Sequence, residues 1–272
     1  MSNNIFTFVG KQPGPTVTIM GGVHGNEPSG VIAIAKLLPN FSIARGKVHL
    51  IIANLRAIEQ NVRETDMNMN RAFKDESLFA DRRQLESYER KRALEIMPYL
   101  DESEALLDIH SSSSEKSTPF SICEPHSFDI VSRLPFQIVS HGWDVIHPGG
   151  TDYYMNKKGG RGICIECGYH LDKDGPAMAE NSIQAFLILM GLIDGDIPPK
   201  TPNQKIIYAH DIYHTKTNFK IARKFGDFEE IKKGEVIGVD GEIEVRALED
   251  TVIIFARNVE GKGEAFVLAK IE

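Results

Sequence analysis

Residues 16–38 read "TVTIMGGVHGNEPSGVIAIAKLL". The first five are apolar or β-branched, which suits a buried strand. From Pro28 to Leu38 the chain is again mostly apolar, and its proline falls where a helix tolerates one, in the first turn. A strand passing through a short glycine-bounded loop into a helix is the building unit of layered α/β folds. The loop also carries an imidazole and a carboxylate, His24 and Glu27, three residues apart. A turn needs neither.

The same alternation continues downstream. "KVHLIIANL" (47–55) reads as a strand, and 76–99 is charged with apolar residues at helical spacing. "EALLDIH" (104–110), "FSIC" (120–123) and "GICIEC" (162–167) read as strands, and 176–193 as a long helix. This predicts an α/β fold with a mostly parallel or mixed sheet. The pattern changes at "GDIPPKTPN" (195–203), where prolines cluster. Beyond it come short strands and turns, with "DG" at 240–241 as a hairpin signal. The expected organisation is an α/β domain over 1–200 and a small all-β module over 201–272, its strands starting near 204.

Composition limits the partners. The chain has 272 residues, 42% hydrophobic and 25% charged, enough for a sizeable core. Its formal net charge is −7 and no basic stripe stands out, which argues against nucleic acid. The opening "MSNNIFTFVG" is polar and unlike a secretory signal. No uncharged apolar run approaches the roughly 20 residues that span a bilayer. A soluble, cytoplasmic protein with no membrane partner is expected. Of the three cysteines, Cys164 and Cys167 form a CxxC inside a strand-like run, where reduced, buried thiols are expected rather than a redox pair.

In open α/β sheets, ligands gather at the carboxyl ends of strands. His24 and Glu27 follow one strand, His110 ends another, and Glu166 lies near the end of a third. Each alone reads as an ordinary polar residue. Two histidines and one glutamate, however, are a known zinc set that leaves a fourth position for water. Glu166, a carboxylate in a very apolar strand, suits a base acting on metal-activated water. Asp108 shares a strand face with His110; it suits the second ring proton of a ligand histidine, and equally an ordinary buried polar role. Arg63, Asn70 and Arg71 fall in the irregular polar stretch "NVRETDMNMNRAF" (61–73), where arginine forks suit carboxylates or a developing oxyanion.

In order along the chain, "GGVHGNE", "NVRETDMNMNRAF", "LLDIHSS" and "ECG" resemble the succinylglutamate desuccinylase/aspartoacylase branch of the zinc carboxypeptidase superfamily. The resemblance implies a mixed-sheet, zinc-carboxypeptidase-like (phosphorylase/hydrolase-like) domain with a small C-terminal β module of barrel-sandwich type. It implies one Zn²⁺ per chain on His24, Glu27 and His110, with Glu166 as general base and then acid. It further implies that Arg63 polarises the scissile carbonyl and that Asn70 and Arg71 grip the substrate's carboxylate. The β module would narrow the entrance, so that small N-acyl amino acids enter and long peptides do not. The implied activity is a deacylase; the alternative is a zinc carboxypeptidase acting on small peptides.

Two departures mark this chain. Relatives carry an arginine soon after the catalytic glutamate, whereas "CGYHLDKDGPAM" follows Glu166 here, leaving His170, Lys173 or upstream Arg161 as substitutes. Relatives also line the site with a tyrosine from the C-terminal module, and "ARNVEGKGEAF" has none, leaving Tyr153, Tyr154, Tyr169, Tyr208 or Tyr213. A serine hydrolase built on Ser111–Ser114 lacks a GxSxG elbow. A non-catalytic binding protein would not need the full residue set.

Overall fold

In the computed structural model, which describes residues 4–115 and 117–272, the chain opens with β1 (Ile5–Val9), β2 (Gln12–Gly21), α1 (Pro28–Leu37), β3 (Arg45–Ile52) and α2 (Leu55–Gln60). There follow α3 (Tyr88–Glu102), β4 (Ala105–Ser112), β5 (Phe120–Cys123), α4 (Phe128–Val131), β6 (Ile138–His141) and α5 (Trp143–Ile146). Then come α6 (Thr151–Lys157), β7 (Arg161–Tyr169) and α7 (Gly175–Leu189). Only strands succeed α7: β8 (Lys205–His214), β9 (Phe219–Ile221), β10 (Glu229–Ile231), β11 (Val236–Asp240), β12 (Ile243–Arg246), β13 (Thr251–Ile254) and β14 (Glu264–Ile271).

One 11-stranded sheet runs β1-β3-β2-β4-β7-β5-β6-β8-β14-β13-β10. β2 pairs in parallel with β3 and β4, and β4 with β7, while β5 meets β7 antiparallel. The sheet is therefore mixed, as the alternating pattern predicts. Every residue of β4 is buried, as a central strand covered on both faces requires. Val17 and Ile19 of β2 pack with Ala33, Ile34, Ile183 and Phe186 of α1 and α7 on one face. Met20 points the other way, into a core with Ile96 and Leu100 of α3. Period-two side-chain alternation thus builds three layers.

Local chemistry moved some boundaries. The strand expected over 47–55 stops at Ile52, because Asn54 accepts a hydrogen bond from the Ala57 N–H (3.2 Å) and starts α2. The helix expected over 76–99 begins only at Tyr88, where the Ser87 hydroxyl caps the Arg90 N–H (3.1 Å); short 3₁₀ turns precede it. The 240–241 hairpin is present, with Asp240 opposite Ile243 and Gly241 at φ +66°. The three cysteines are free and buried.

The prolines at 198–199 lie in coil, yet the sheet continues past them. β6 and β8 pair in parallel from Ile138–Lys205 to His141–Tyr208. Beyond β8 the sheet is antiparallel, with β14 on β8, β13 on β14 and β10 on β13. A separate three-stranded sheet, β12-β11-β9, packs through a core containing Phe219, Ile237, Ile253 and Phe266. No helix among the described residues is long and apolar enough to cross a membrane.

Candidate active site

The loop after β2 is shaped by its neighbours. Gly22 has φ +73°, and a Cβ on Gly25 would lie 2.1 Å from the Ala57 carbonyl carbon. The glycines therefore let the loop lie directly on the backbone of α2. The Gly25 N–H reaches the Arg63 carbonyl (3.2 Å), which ties this loop to the 61–73 stretch. Glu27 precedes Pro28, the first residue of α1, and is held extended (φ −105°, ψ 91°) as a pre-proline residue prefers.

These constraints aim His24 and Glu27 at the end of β4. Nδ1 of His24 is 2.8 Å from Glu27 Oε1, and Nδ1 of His110 is 2.9 Å from Glu27 Oε2. The Ser111 N–H donates to the same Oε2 (3.2 Å), and Arg63 Nη1 to Oε1 (3.0 Å). The opposite ring nitrogens differ: that of His24 is hydrogen-bonded, while that of His110 faces a carboxylate without hydrogen-bond geometry. His24 Nε2 faces Asn68 Oδ1 at 3.1 Å, and His110 Nε2 lies 3.1 Å from Asp108 Oδ2. The ligand atoms of His24, Glu27 and His110 lie within 4.8 Å of one another, and all three residues are buried. Two imidazoles and a carboxylate converging in this way, with a polar partner beside each far nitrogen, are a donor set that fits a metal ion.

Electrostatics readies His24 and Glu27 to ligate, whereas His110 has a proton to give up first. Burial, then Arg63, pulls the His24 pKa down to about 4, so the ring is neutral and able to ligate. Burial opposes ionisation of Glu27, but His24 and His110 outweigh it and hold the carboxyl well below its usual range. Burial likewise opposes a charge on His110, and Asp108 reverses the balance, so its pKa stands well above the usual value.

Glu166 completes this wall. In the parallel pair of β4 and β7 it lies directly opposite His110. It is 9% exposed, and its Oε2 has no hydrogen-bond partner. Burial, then Glu27, pushes its pKa up to about 8. A carboxyl with a free oxygen beside a metal-type donor set is placed to take a proton and return it.

The 61–73 stretch is fixed by a residue the sequence reading did not single out. Glu89 of α3 is fully buried, and its carboxylate accepts from the Thr65 N–H (2.7 Å), the Thr65 hydroxyl (2.8 Å) and the N–H groups of Asp66 and Met67 (both 3.2 Å). In return Asp66 accepts from the Tyr88 N–H (2.8 Å). The signal was an acidic residue in the first turn of α3, which on its own is ordinary helix chemistry.

Arg71 is engaged from the far side of the cavity. Its Nη2 is 2.9 Å from Glu264 Oε2 and also contacts His147 Nε2, while Nη1 donates to the Asn70 carbonyl (2.8 Å). Glu264 opens β14. Burial opposes its ionisation, but His147 and Arg71 hold its carboxyl far below the usual range. Asn70 has a buried Oδ1 without a hydrogen-bond partner.

His24, Glu27, Arg63, Asn70, Arg71, His110 and Glu166 all line one cavity of about 150 Å³. Its other wall comes from the later strands and their loops, including Phe225, Asp227, Phe255, Arg257, Glu264 and Phe266. None of the substitutes considered for the missing arginine and tyrosine lines it. Arg161 pairs with Asp129 (2.8 Å), His170 meets the Ser111 hydroxyl (2.9 Å), and Lys173 is exposed. Tyr154 and Tyr213 donate to Asp101 and Asp240. The additional cation is Arg257, within the tyrosine-free stretch "ARNVEGKGEAF".

Residues 13–172, more than half of the chain, match the family model of the succinylglutamate desuccinylase/aspartoacylase catalytic domain. The chain belongs to that family. A Xenopus tropicalis N-acyl-aromatic-L-amino acid amidohydrolase (carboxylate-forming) is 34% identical over 166 residues, 56% of this chain and 54% of the relative. A Danio rerio aspartoacylase is 33% identical over 112 residues, 38% of this chain and 36% of the relative. The chain thus spans about half the length, or less, of these relatives. The crystal structure of succinylglutamate desuccinylase from Vibrio cholerae covers 98% of this chain, and 85% of its own, at TM-score 0.77 and 16% identity. The mixed sheet with its added antiparallel strands is the zinc-carboxypeptidase-like fold of the succinylglutamate desuccinylase/aspartoacylase family.

Proposed function

We propose that the protein hydrolyses the amide bond of a small N-acyl amino acid, using one Zn²⁺ ion held by His24, Glu27 and His110. The observation that carries this reading is the convergence of both Nδ1 atoms on Glu27, with Glu166 opposite His110 on the next strand. Zinc bound there supplies a Lewis acid and lowers the pKa of water. Glu166 takes the water's proton and passes it to the leaving amine. Arg63, 40% exposed and already beside Glu27, donates to the carbonyl oxygen as negative charge develops on it. Asn70 and Arg71 face the amino-acid part of the substrate.

The cavity supports a small substrate rather than a peptide. Its wall of Ile122, Trp143, Phe225, Phe255 and Phe266 also supports an apolar group on that substrate. The Xenopus tropicalis relative is named for N-acyl aromatic amino acids, which agrees with such a wall. The test is a zinc-loaded assay against N-acetyl, N-succinyl and N-formyl amino acids, with small peptides alongside. Release of free amino acid, abolished by a chelator and restored by zinc, is expected. Cleavage of peptides alone would instead assign a carboxypeptidase, and no cleavage of any kind would sink the reading.

One contact favours a second reading, a serine nucleophile. The Ser111 hydroxyl lies 2.9 Å from His170 Nδ1 at the cavity wall. Chelator-insensitive hydrolysis with a fluorophosphonate label on Ser111 would establish it.

A further inference from the structure

Three guanidinium groups line the cavity, and they differ in what already holds them. Arg63 donates to Glu27 at 3.0 Å. Arg71 is occupied on all sides, by Glu264, by His147 and by the Asn70 carbonyl. Its carboxylate-binding edge is thus filled by a carboxylate of the protein itself. Arg257, in the loop between β13 and β14, is the exception. Its Nε donates to the Glu264 carbonyl at 3.1 Å. Among the described residues its two terminal nitrogens make no hydrogen bond or ion pair. Desolvation, then Arg63, pulls its pKa down, as expected where cations gather without enough anions between them.

We infer that Arg257 is a seat for the substrate's carboxylate, beside an Arg71 that is already paired with Glu264. This rests on the deacylase reading of the same cavity. The bond from Nε to the strand backbone fixes the orientation of the guanidinium. Nη1 and Nη2 remain as one planar edge, which is the geometry that takes a carboxylate through two parallel N–H donors. The loop and the first residue of β14 therefore supply two halves of one device. The Glu264 carboxylate pairs with Arg71, and its carbonyl aims Arg257. A ligand with a single carboxylate leaves no charge unmatched at this end of the cavity.

Trp143, the one tryptophan in the chain, lines the cavity, so its fluorescence reports binding without turnover. The probes are N-acetylphenylalanine and its carboxamide, titrated into the zinc-loaded wild-type protein and into Arg257→Gln and Arg257→Lys. The Arg257 side chain makes a single hydrogen bond, and its backbone bond to Ala265 survives substitution, so both variants are expected to fold. The wild type should prefer the carboxylate by about tenfold or more, as a charge-assisted pair supports. The preference should collapse in Arg257→Gln and survive in part in Arg257→Lys. In turnover, KM for the carboxylate should rise in Arg257→Gln by about the same factor, with kcat affected less. A wild type that does not distinguish the two probes, or an Arg257→Gln that keeps the full preference, would overturn the assignment. Absence of hydrolysis in the wild type would instead defeat the deacylase reading, and the binding comparison would still decide for or against Arg257.

Discussion

Glu166 combines burial, an unpartnered oxygen and a position opposite His110. Glu166→Gln keeps its shape and removes its basicity. Turnover should fall by about 10²–10⁴, the usual contribution of a general base, while metal analysis shows about one equivalent retained. A mutant with near-normal rate would remove Glu166 from the mechanism. A second titrating carboxyl lies outside the cavity. Burial, then Asp152, pushes the Asp144 pKa up to about 7. Asp144 stays protonated in the fold at pH values where the unfolded chain has released its proton, so stability falls as pH rises from about 4 to 7. Asp144→Asn keeps an acceptor for the Asn156 amide (3.0 Å) and removes that cost. The variant should match the parent near pH 4 and exceed it by about 1–2 kcal/mol at pH 8, after discounting for partial exposure. Melting curves at the two pH values check this. His24, Glu27, Arg63, Asn70, Arg71, His110 and Glu166 all reach one cavity, because local spacing and strand ends carry that information. Arg257 and Glu264 could not be found in the same way. Their relevance depends on which strand β14 pairs with and on where Arg71 points.

At the scale of elements, the 61–73 stretch shows how an irregular segment is held. Its order comes from Glu89, a single carboxylate accepting from several N–H groups. Glu89→Ala should destabilise the protein by about 3 kcal/mol, since buried donors are left unsatisfied. It should also weaken substrate binding, because Arg63 and Asn70 lose their anchor. Urea denaturation and KM measure the two effects separately. In the loop after β2, Gly25→Ala would drive a methyl group into the backbone of α2, 2.1 Å from Ala57. His24 and Glu27 must then shift, and metal affinity should drop at least tenfold in a zinc competition titration, in line with lost ligand orientation. Normal affinity would show that the loop has room to adjust. Strands β2, β4 and β7 were readable because each is long, apolar and ends in a turn. The charged and apolar residues of 76–87 fit a helical period, yet the segment folds as short 3₁₀ turns. The Ser87 cap, which starts the helix later, decides the matter by a hydrogen bond that periodicity does not register.

At the scale of the whole molecule, the sheet runs unbroken from β6 to β8 across the proline-rich coil. Side chains on both sides of that coil share a core, in which Phe120, Ile122 and Trp143 meet Ile207, Ile254 and Val267. A chain ending at residue 200 would expose this core and leave β6 as an open edge. It should aggregate or sediment as oligomers, and a soluble monomer with a native circular dichroism spectrum would contradict this. Composition marked 195–203 clearly, but pairing between distant strands leaves no local trace in sequence. The same topology sets an order of events during synthesis. The histidines, Glu27 and Glu166 all leave the ribosome well before residue 264 does. Arg71 therefore waits, without its counter-ion, through almost two hundred further residues of translation. Half of the cavity can assemble early, since domains begin to fold as they emerge. The far wall arrives only with β13, β14 and the loop between them, so the cavity gains its second side long after both histidines and Glu166 have been made.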